Sequence, residues 1–444
     1  MKPDPSIKIV CSKATPRLNY VARFLSENAF GIGVDIVPDQ AGKAVHDLIE
    51  AGNVVIYYGH EPMEGTFSVF STGLTEEQGI TPHVPTAARA NKQTILCPAP
   101  DGFDLPFDLF SAVFYLLSRY EEYLPHQKDR HGRFEANQSH AFQNGYLMEP
   151  VIDQWLILLK TVLKKNYPAL DFPSRKFNFV STIDIDNPWA ILNRGMVRTA
   201  GGLLKALLKL HFREWQYRIR VLKRKQPDPF DTYNCILKLE KQYGFRSLFF
   251  FLMGNYGKND TNYAIDSDHF RKLLDSLKSS RPIGIHPSYK SNHSPNRLKV
   301  EFERFADLLG KKPEISRQHF LLLRIPDTFR KLLSHNVQTD YSMGYATHVG
   351  FRAGTSLPFR FYDLIREEET GLLLHPFVVM DATLRQYMGL SPDQARERIE
   401  LLLEKVKTTG GIFTSLWHNE SLSEYGEWKG WLIVFKNMVK EATI

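Results

Sequence analysis

Cysteine is scarce in this 444-residue sequence: Cys11, Cys97 and Cys235 are odd in number, far apart and never in a C-x-x-C pair. Such spacing excludes a disulfide framework and a thiolate zinc site, so any metal must be held by histidines and carboxylates. No stretch reaches the ~18 apolar residues of a membrane span. The amino terminus, MKPDPSIKIVCSKATPRLNY, has neither the apolar core of a secretory signal nor its small-residue cleavage site. A cytoplasmic protein is therefore expected, peripheral to the inner membrane face if it meets a membrane at all. Internal repeats and low-complexity tracts are also missing.

What is present is ordinary globular material slightly rich in rings, with 43% hydrophobic, 24% charged and 12% aromatic residues, which excludes wholesale disorder. The length is about three times the ~150-residue domain prior, so more than one domain is expected. Net charge is +7, and it is concentrated. Lys205, Lys209, Arg213, Arg218, Arg220, Lys223, Arg224 and Lys225 face only Glu214, a local excess equal to that of the whole chain. The remainder is near neutral, which argues against a nucleic-acid binder. Leu204, Leu207, Leu208, Phe212, Trp215 and Ile219 recur at helical spacing, so Lys205 to Lys225 reads as one amphipathic helix. Its cations form either a solvated outer face or a docking face for anionic phospholipid headgroups or an anionic glycan carrier.

Residues 1–170 read as an α/β amino-terminal domain of unknown role, with β-like runs at 7–11, 31–37 and 53–58 and helices at 107–123 and 150–165. From 171 to 444, apolar strand candidates at 177–185, 247–253, 282–286, 315–320, 338–343, 372–380 and 411–417 alternate with helical stretches. Such alternation argues parallel strands with crossover helices, hence an α/β barrel or an open sheet, with chemistry at the carboxyl ends of the strands. All but the second candidate end in ionisable groups: Asp184 and Asp186, His286, Arg317 and His319, Asp340, Asp381, and His418. Convergent groups at one rim are what a metal-assisted or acid–base site needs.

Asp184 and Asp186 stand at i and i+2 and would project to the same side of a strand. Two carboxylates that close call for a cation or a shifted pKa, unless the pair merely caps the turn opened by Asn187-Pro188. His286 ends Pro282-Ile283-Gly284-Ile285-His286 and precedes Pro287-Ser288-Tyr289; it is either a satisfied structural histidine or a ligand.

The order of these motifs over residues 175–425 resembles the polysaccharide deacetylase family, carbohydrate esterase family four with the NodB homology domain. Where that family has T-F-D-D-G, this chain has Thr182-Ile183-Asp184-Ile185-Asp186, which implies Asp184 as catalytic base and Asp186 as metal ligand. The family's H-[ST]-x-x-H corresponds to His286-Pro287-Ser288-Tyr289-Lys290, with lysine replacing the second histidine. A third motif is echoed by Gly310-Lys311-Lys312-Pro313 and then Ser316-Arg317-Gln318-His319-Phe320, where Arg317 would orient the base. The last, an apolar strand ending L-x-H, matches Leu416-Trp417-His418 and would supply the general acid. Residues 1–170 resemble an uncharacterised domain fused to such deacetylases.

Lysine cannot bind a cation unless deprotonated, so Asp186 and His286 leave the implied metal one protein ligand short. His319 is the expected third ligand, ahead of His293 and Asn292. The resemblance implies a distorted (β/α) barrel of the NodB type behind a smaller α/β domain, and a divalent metal: zinc first, with cobalt, nickel or manganese as alternatives. The implied reaction is removal of an N-acetyl group from a glycan or lipid-linked sugar, with Asp340 or Asp381 holding the His418 ring. Tyr289, Lys290, Arg352 and Trp417 are the expected substrate contacts. Two rival functions remain: a non-catalytic carbohydrate-binding or assembly protein in which Lys290 records a lost metal site, and an O-acetyl esterase.

Overall fold

The apolar runs pair into two main sheets in the computed structural model, which describes residues 6–39, 43–90, 92–262 and 265–444. The first sheet is all parallel, with β1 (Ile7–Cys11), β2 (Val34–Pro38), β3 (Val54–Gly59) and β4 (Phe67–Phe70) in the order β2-β1-β3-β4. An antiparallel ribbon of β5 (Ala87–Ala90) and β6 (Gln93–Leu96) follows. The apolar helix Leu109–Leu117 is buried on every side. It stops short of the expected 123 because Arg119 takes a left-handed φ of 55° and turns its guanidinium onto Glu121 and Glu122.

The second sheet holds β7 (Asn178–Ile185), β8 (Ser247–Leu252), β9 (Ile283–His286), β10 (Ile315–Ser316), β11 (Thr339–Asp340), β12 (Phe359–Asp363), β13 (Glu368–Leu374), β14 (Val379–Met380) and β15 (Ile412–His418). Their order is β12-β13-β11-β10-β9-β8-β7-β15-β14, and only β12–β13 is antiparallel. Residues 372–380 are therefore not one strand. They split around Pro376, which has no N–H for a ladder, and the two pieces sit toward opposite edges of the sheet. Among the described strands the sheet is open, with edges at β12 and β14.

Close packing beneath the strand ends requires Gly284: a Cβ there would lie 2.6 Å from the Phe250 ring and 3.0 Å from the Ile315 carbonyl. With glycine, Phe250 lies flat beneath the Arg317 guanidinium, 4.5 Å from the ring centre. One hydrophobic cluster contains side chains from both sheets. Tyr20 donates to the Arg360 carbonyl at 2.8 Å and Arg17 pairs with Glu367 at 2.5 Å across the same junction. The basic stretch is not one helix but two, Met196–Leu208 and Phe212–Leu222, broken where Leu210 takes a left-handed φ of 56°. No helix among the described residues is long and apolar enough to cross a membrane.

Candidate active site

Register aligns the chemistry. Asp184 on β7 is paired with His418 on β15, His286 ends β9, and Asp186 and His319 lie just beyond the ends of β7 and β10. β15 and β10 are four places apart in the sheet. On a flat sheet that is about 19 Å at the usual strand spacing of ~4.8 Å. Yet His319 Nε2 is 3.3 Å and His418 Nε2 3.8 Å from the same Asp186 oxygen, Oδ2. The sheet therefore curls into a half-barrel, and its carboxyl ends converge on one cavity lined by Asp184, Asp186, His286, His319 and His418.

Two imidazoles are aimed at Asp186 by what holds their other nitrogen. His286 Nδ1 lies 2.6 Å from the Arg317 carbonyl, and His319 Nδ1 lies 2.9 Å from Asp260 Oδ1. That leaves each Nε2 facing the carboxylate, as outer partners orient metal-binding histidines. Ligand atoms of Asp186, His286 and His319 all lie within 4.8 Å of one another. His286 Nε2 is 3.3 Å from Asp186 Oδ1, but the pair is misaligned for a hydrogen bond and the buried Oδ1 has no such partner among the described residues. Nitrogen and oxygen facing each other at this distance, unbonded, are spaced like neighbouring ligands on a cation with bonds of about 2.0–2.1 Å. An Asp/His/His group able to hold a metal ion is thus present.

Opposite charges also draw the cluster together. Burial alone would lower the His319 pKa, but Asp186 and Asp260 raise it to about 9. Burial alone would raise Asp186, and His319 and His286 instead hold it well below the usual carboxylate range.

Beside this group stand an oriented carboxylate and an oriented imidazole. Arg317, fully buried, donates from Nη1 to Asp184 Oδ1 at 2.7 Å and from Nε to the Tyr341 carbonyl at 3.0 Å. His418 is clamped twice by Asp381: Oδ1 lies 2.8 Å from Nδ1, and Oδ2 accepts the His418 N–H at 2.7 Å. Burial opposes a charge on His418, but Asp381, with Asp186 and Asp184, pushes its pKa well above the ordinary value.

Residues 7–168 match one described family, of unknown function (DUF7033). No curated protein matches the chain in sequence. Among solved structures, the chain is similar to a Mycobacterium smegmatis protein assigned as a polysaccharide deacetylase, at 12% identity and a TM-score of 0.40, covering 61% of this chain and 85% of that one. A Pseudomonas aeruginosa PAO1 protein with the same assignment gives 10% identity, a TM-score of 0.39 and coverage of 60% and 84%. Puue allantoinase gives 12%, 0.37, and coverage of 60% and 83%. At these scores the likeness decides nothing about chemistry.

The expected substrate contacts lie elsewhere. Trp417 is fully buried against Trp431 and Phe435, because it alternates with Leu416 and His418, which face the cavity. Arg352 is buried on Glu122 at 2.6 Å, and Tyr289 sits behind Phe320 with its hydroxyl 3.2 Å from His131 Nδ1. Lys290 is exposed in a separate groove, its Nζ lying over Gly257. Of the two aspartates expected to hold His418, Asp381 does so; Asp340 instead accepts from Ser316 and Ser342.

Two residues of the site, Asp260 and Glu420, were not anticipated in these roles. Asp260 comes from the loop after β8, the one strand candidate without an ionisable end, and that gap was the available signal. Glu420 lines the cavity beyond His418, its carboxyl lifted to about 7 by burial, with Asp186 and Asp381 adding to the rise against His418. Arg133 reaches the cavity from the amino-terminal half, fixed by Asp129 and by the Phe320 carbonyl, each at 2.7 Å.

Proposed function

We propose that this chain is a metal-dependent hydrolase that removes an N-acetyl group from an amino-sugar-containing glycan or lipid-linked sugar. The observation that carries the reading is one cavity holding three things together: the Asp186/His286/His319 group, the Arg317-held Asp184 and the Asp381-held His418. A divalent cation on that group would supply Lewis acidity toward the acyl carbonyl and toward water. Asp184 takes the proton of the attacking water, and Arg317 holds it pointed inward. His418, with Nδ1 held by Asp381, presents Nε2 to the cavity and gives its proton to the departing amine. Leu321, Ala346, Met380 and Leu416 form an apolar wall suited to the acetyl methyl. Lys290 lies outside the cavity, so its ammonium does not compete with a cation there.

The test is acetate release from N-acetylglucosamine oligomers by protein loaded with zinc, cobalt, nickel or manganese. Asp184→Asn and His418→Ala should each lower turnover about 100-fold or more, the usual worth of a positioned base or acid, with unchanged circular dichroism. Turnover that survives either change, or that is indifferent to chelator, would refute the assignment.

A further inference from the structure

Helices on water-soluble surfaces turn their apolar stripe inward. The helix Met196–Leu208 does the reverse: Ala206 is its one buried residue, while Val197 is 87% and Leu208 74% exposed, with Leu204 and Leu207 exposed between them. The patch continues through the turn to Leu210, 71% exposed, and Phe212, 55% exposed. Lys205, Lys209 and Arg213 are exposed within it, and Arg220, Lys223, Arg224 and Lys225 are exposed along the second helix and just past its end. Among the described residues the hairpin's one salt bridge is Arg218 to Glu214, 2.6 Å. An apolar tip ringed by cations without acidic partners is therefore left facing outward.

The hairpin is footed at the rim of the cavity. Tyr217 stacks on Tyr425, with centroids 5.3 Å apart, and the Tyr425 hydroxyl donates to Glu214 at 2.5 Å. Tyr425 belongs to the segment that carries Glu420 and Trp428 into the cavity wall. We infer that this hairpin is an interfacial anchor for an anionic phospholipid bilayer, with Leu204, Leu207, Leu208, Leu210 and Phe212 entering the headgroup boundary and Lys205, Lys209 and Arg213 meeting the phosphates. Charge complementarity selects this occupant. A second copy packed face to face would oppose the same cations to themselves, whereas an anionic bilayer supplies both an apolar boundary and negative charge. That the anchor hands a lipid-linked acetylated sugar to the cavity rests on the hydrolase reading; the docking itself does not.

The experiment is co-sedimentation of the full chain with vesicles of phosphatidylglycerol and phosphatidylcholine, or of phosphatidylcholine alone, at low and high salt. The protein should pellet with the anionic vesicles only and be released by salt. Lys205→Glu/Lys209→Glu/Arg213→Glu should weaken partitioning about a hundredfold, the combined worth of three interfacial cations. Leu204→Glu/Leu208→Glu/Phe212→Glu alters exposed side chains only and should abolish pelleting with an unchanged melting curve. Equal recovery in the supernatant with both vesicle types overturns the inference. So does a lipid-free dimer in sedimentation velocity that the leucine variant dissolves, which would give the patch to a second copy. Pelleting is read without substrate, so its failure leaves the hydrolase reading standing, and loss of activity leaves the anchor standing.

Discussion

Asp260 touches no cavity surface, yet it decides which nitrogen of His319 faces Asp186. Its carboxylate takes His319 Nδ1 and the Tyr289 N–H, so the ring is fixed in angle with Nε2 turned toward Asp186. Removal of such an outer partner typically costs about 10–100-fold in metal affinity. Asp260→Ala should therefore weaken zinc binding by that factor in a competition titration, with the three ligand residues intact. Unchanged affinity would mean that His319 is positioned by packing alone, or does not bind the ion.

At the scale of the element, β13 is followed by a pH-sensitive residue outside the cavity lining. His375 follows Leu374 and stacks on Tyr341, 4.7 Å between ring centres and 16° from parallel. Burial lowers its pKa to about 4. The unfolded chain takes up this proton near pH ~6.5, and the folded chain does so only near its lower value. Between those two values the unfolded state binds more protons, so stability is full above the upper one and falls as pH drops toward the lower. The loss should be on the order of 2–3 kcal/mol in urea unfolding between pH 7 and pH 4.5. His375→Phe should flatten that part of the profile. A variant that keeps the full slope would place the acid sensitivity in another group.

For the whole molecule, the junction between the two sheets contains a buried charge cluster. Arg352 meets Glu122 through Nη2 and Nε at 2.6 and 3.0 Å, Arg119 meets Glu122 at 2.9 Å, and Arg119 also donates to the Arg352 carbonyl. Burial would raise the Glu122 pKa, but Arg352 and Arg119 hold it below the usual range. Breaking a buried pair from one side strands the other charge, at about 3–5 kcal/mol. Arg352→Ala should lower stability by that amount in urea unfolding while leaving zinc affinity unchanged. The opposite pattern, near-normal stability with weakened substrate binding, would return Arg352 to the sugar-binding role expected from sequence.

Much of the candidate site was legible because strand-end chemistry is local. An apolar run followed by Asp184, Asp186, His286, Arg317, His319 or His418 declares both the strand and its functional rim. The same alternation of period two that puts Asp184 and Asp186 on one side sends Trp417 to the side away from His418. Strand order was not legible. Asp340 and Asp381 both end strands, but only β14 lies beside β15, and adjacency in a sheet is set by long crossovers rather than by any short motif. Asp260 reaches His319 across 59 residues and Arg352 reaches Glu122 across 230, with no periodicity linking the partners. Local pattern thus determined which groups the rim could offer. Only the curled sheet and the packing across the junction decided which of them meet in the cavity and which are spent holding the fold.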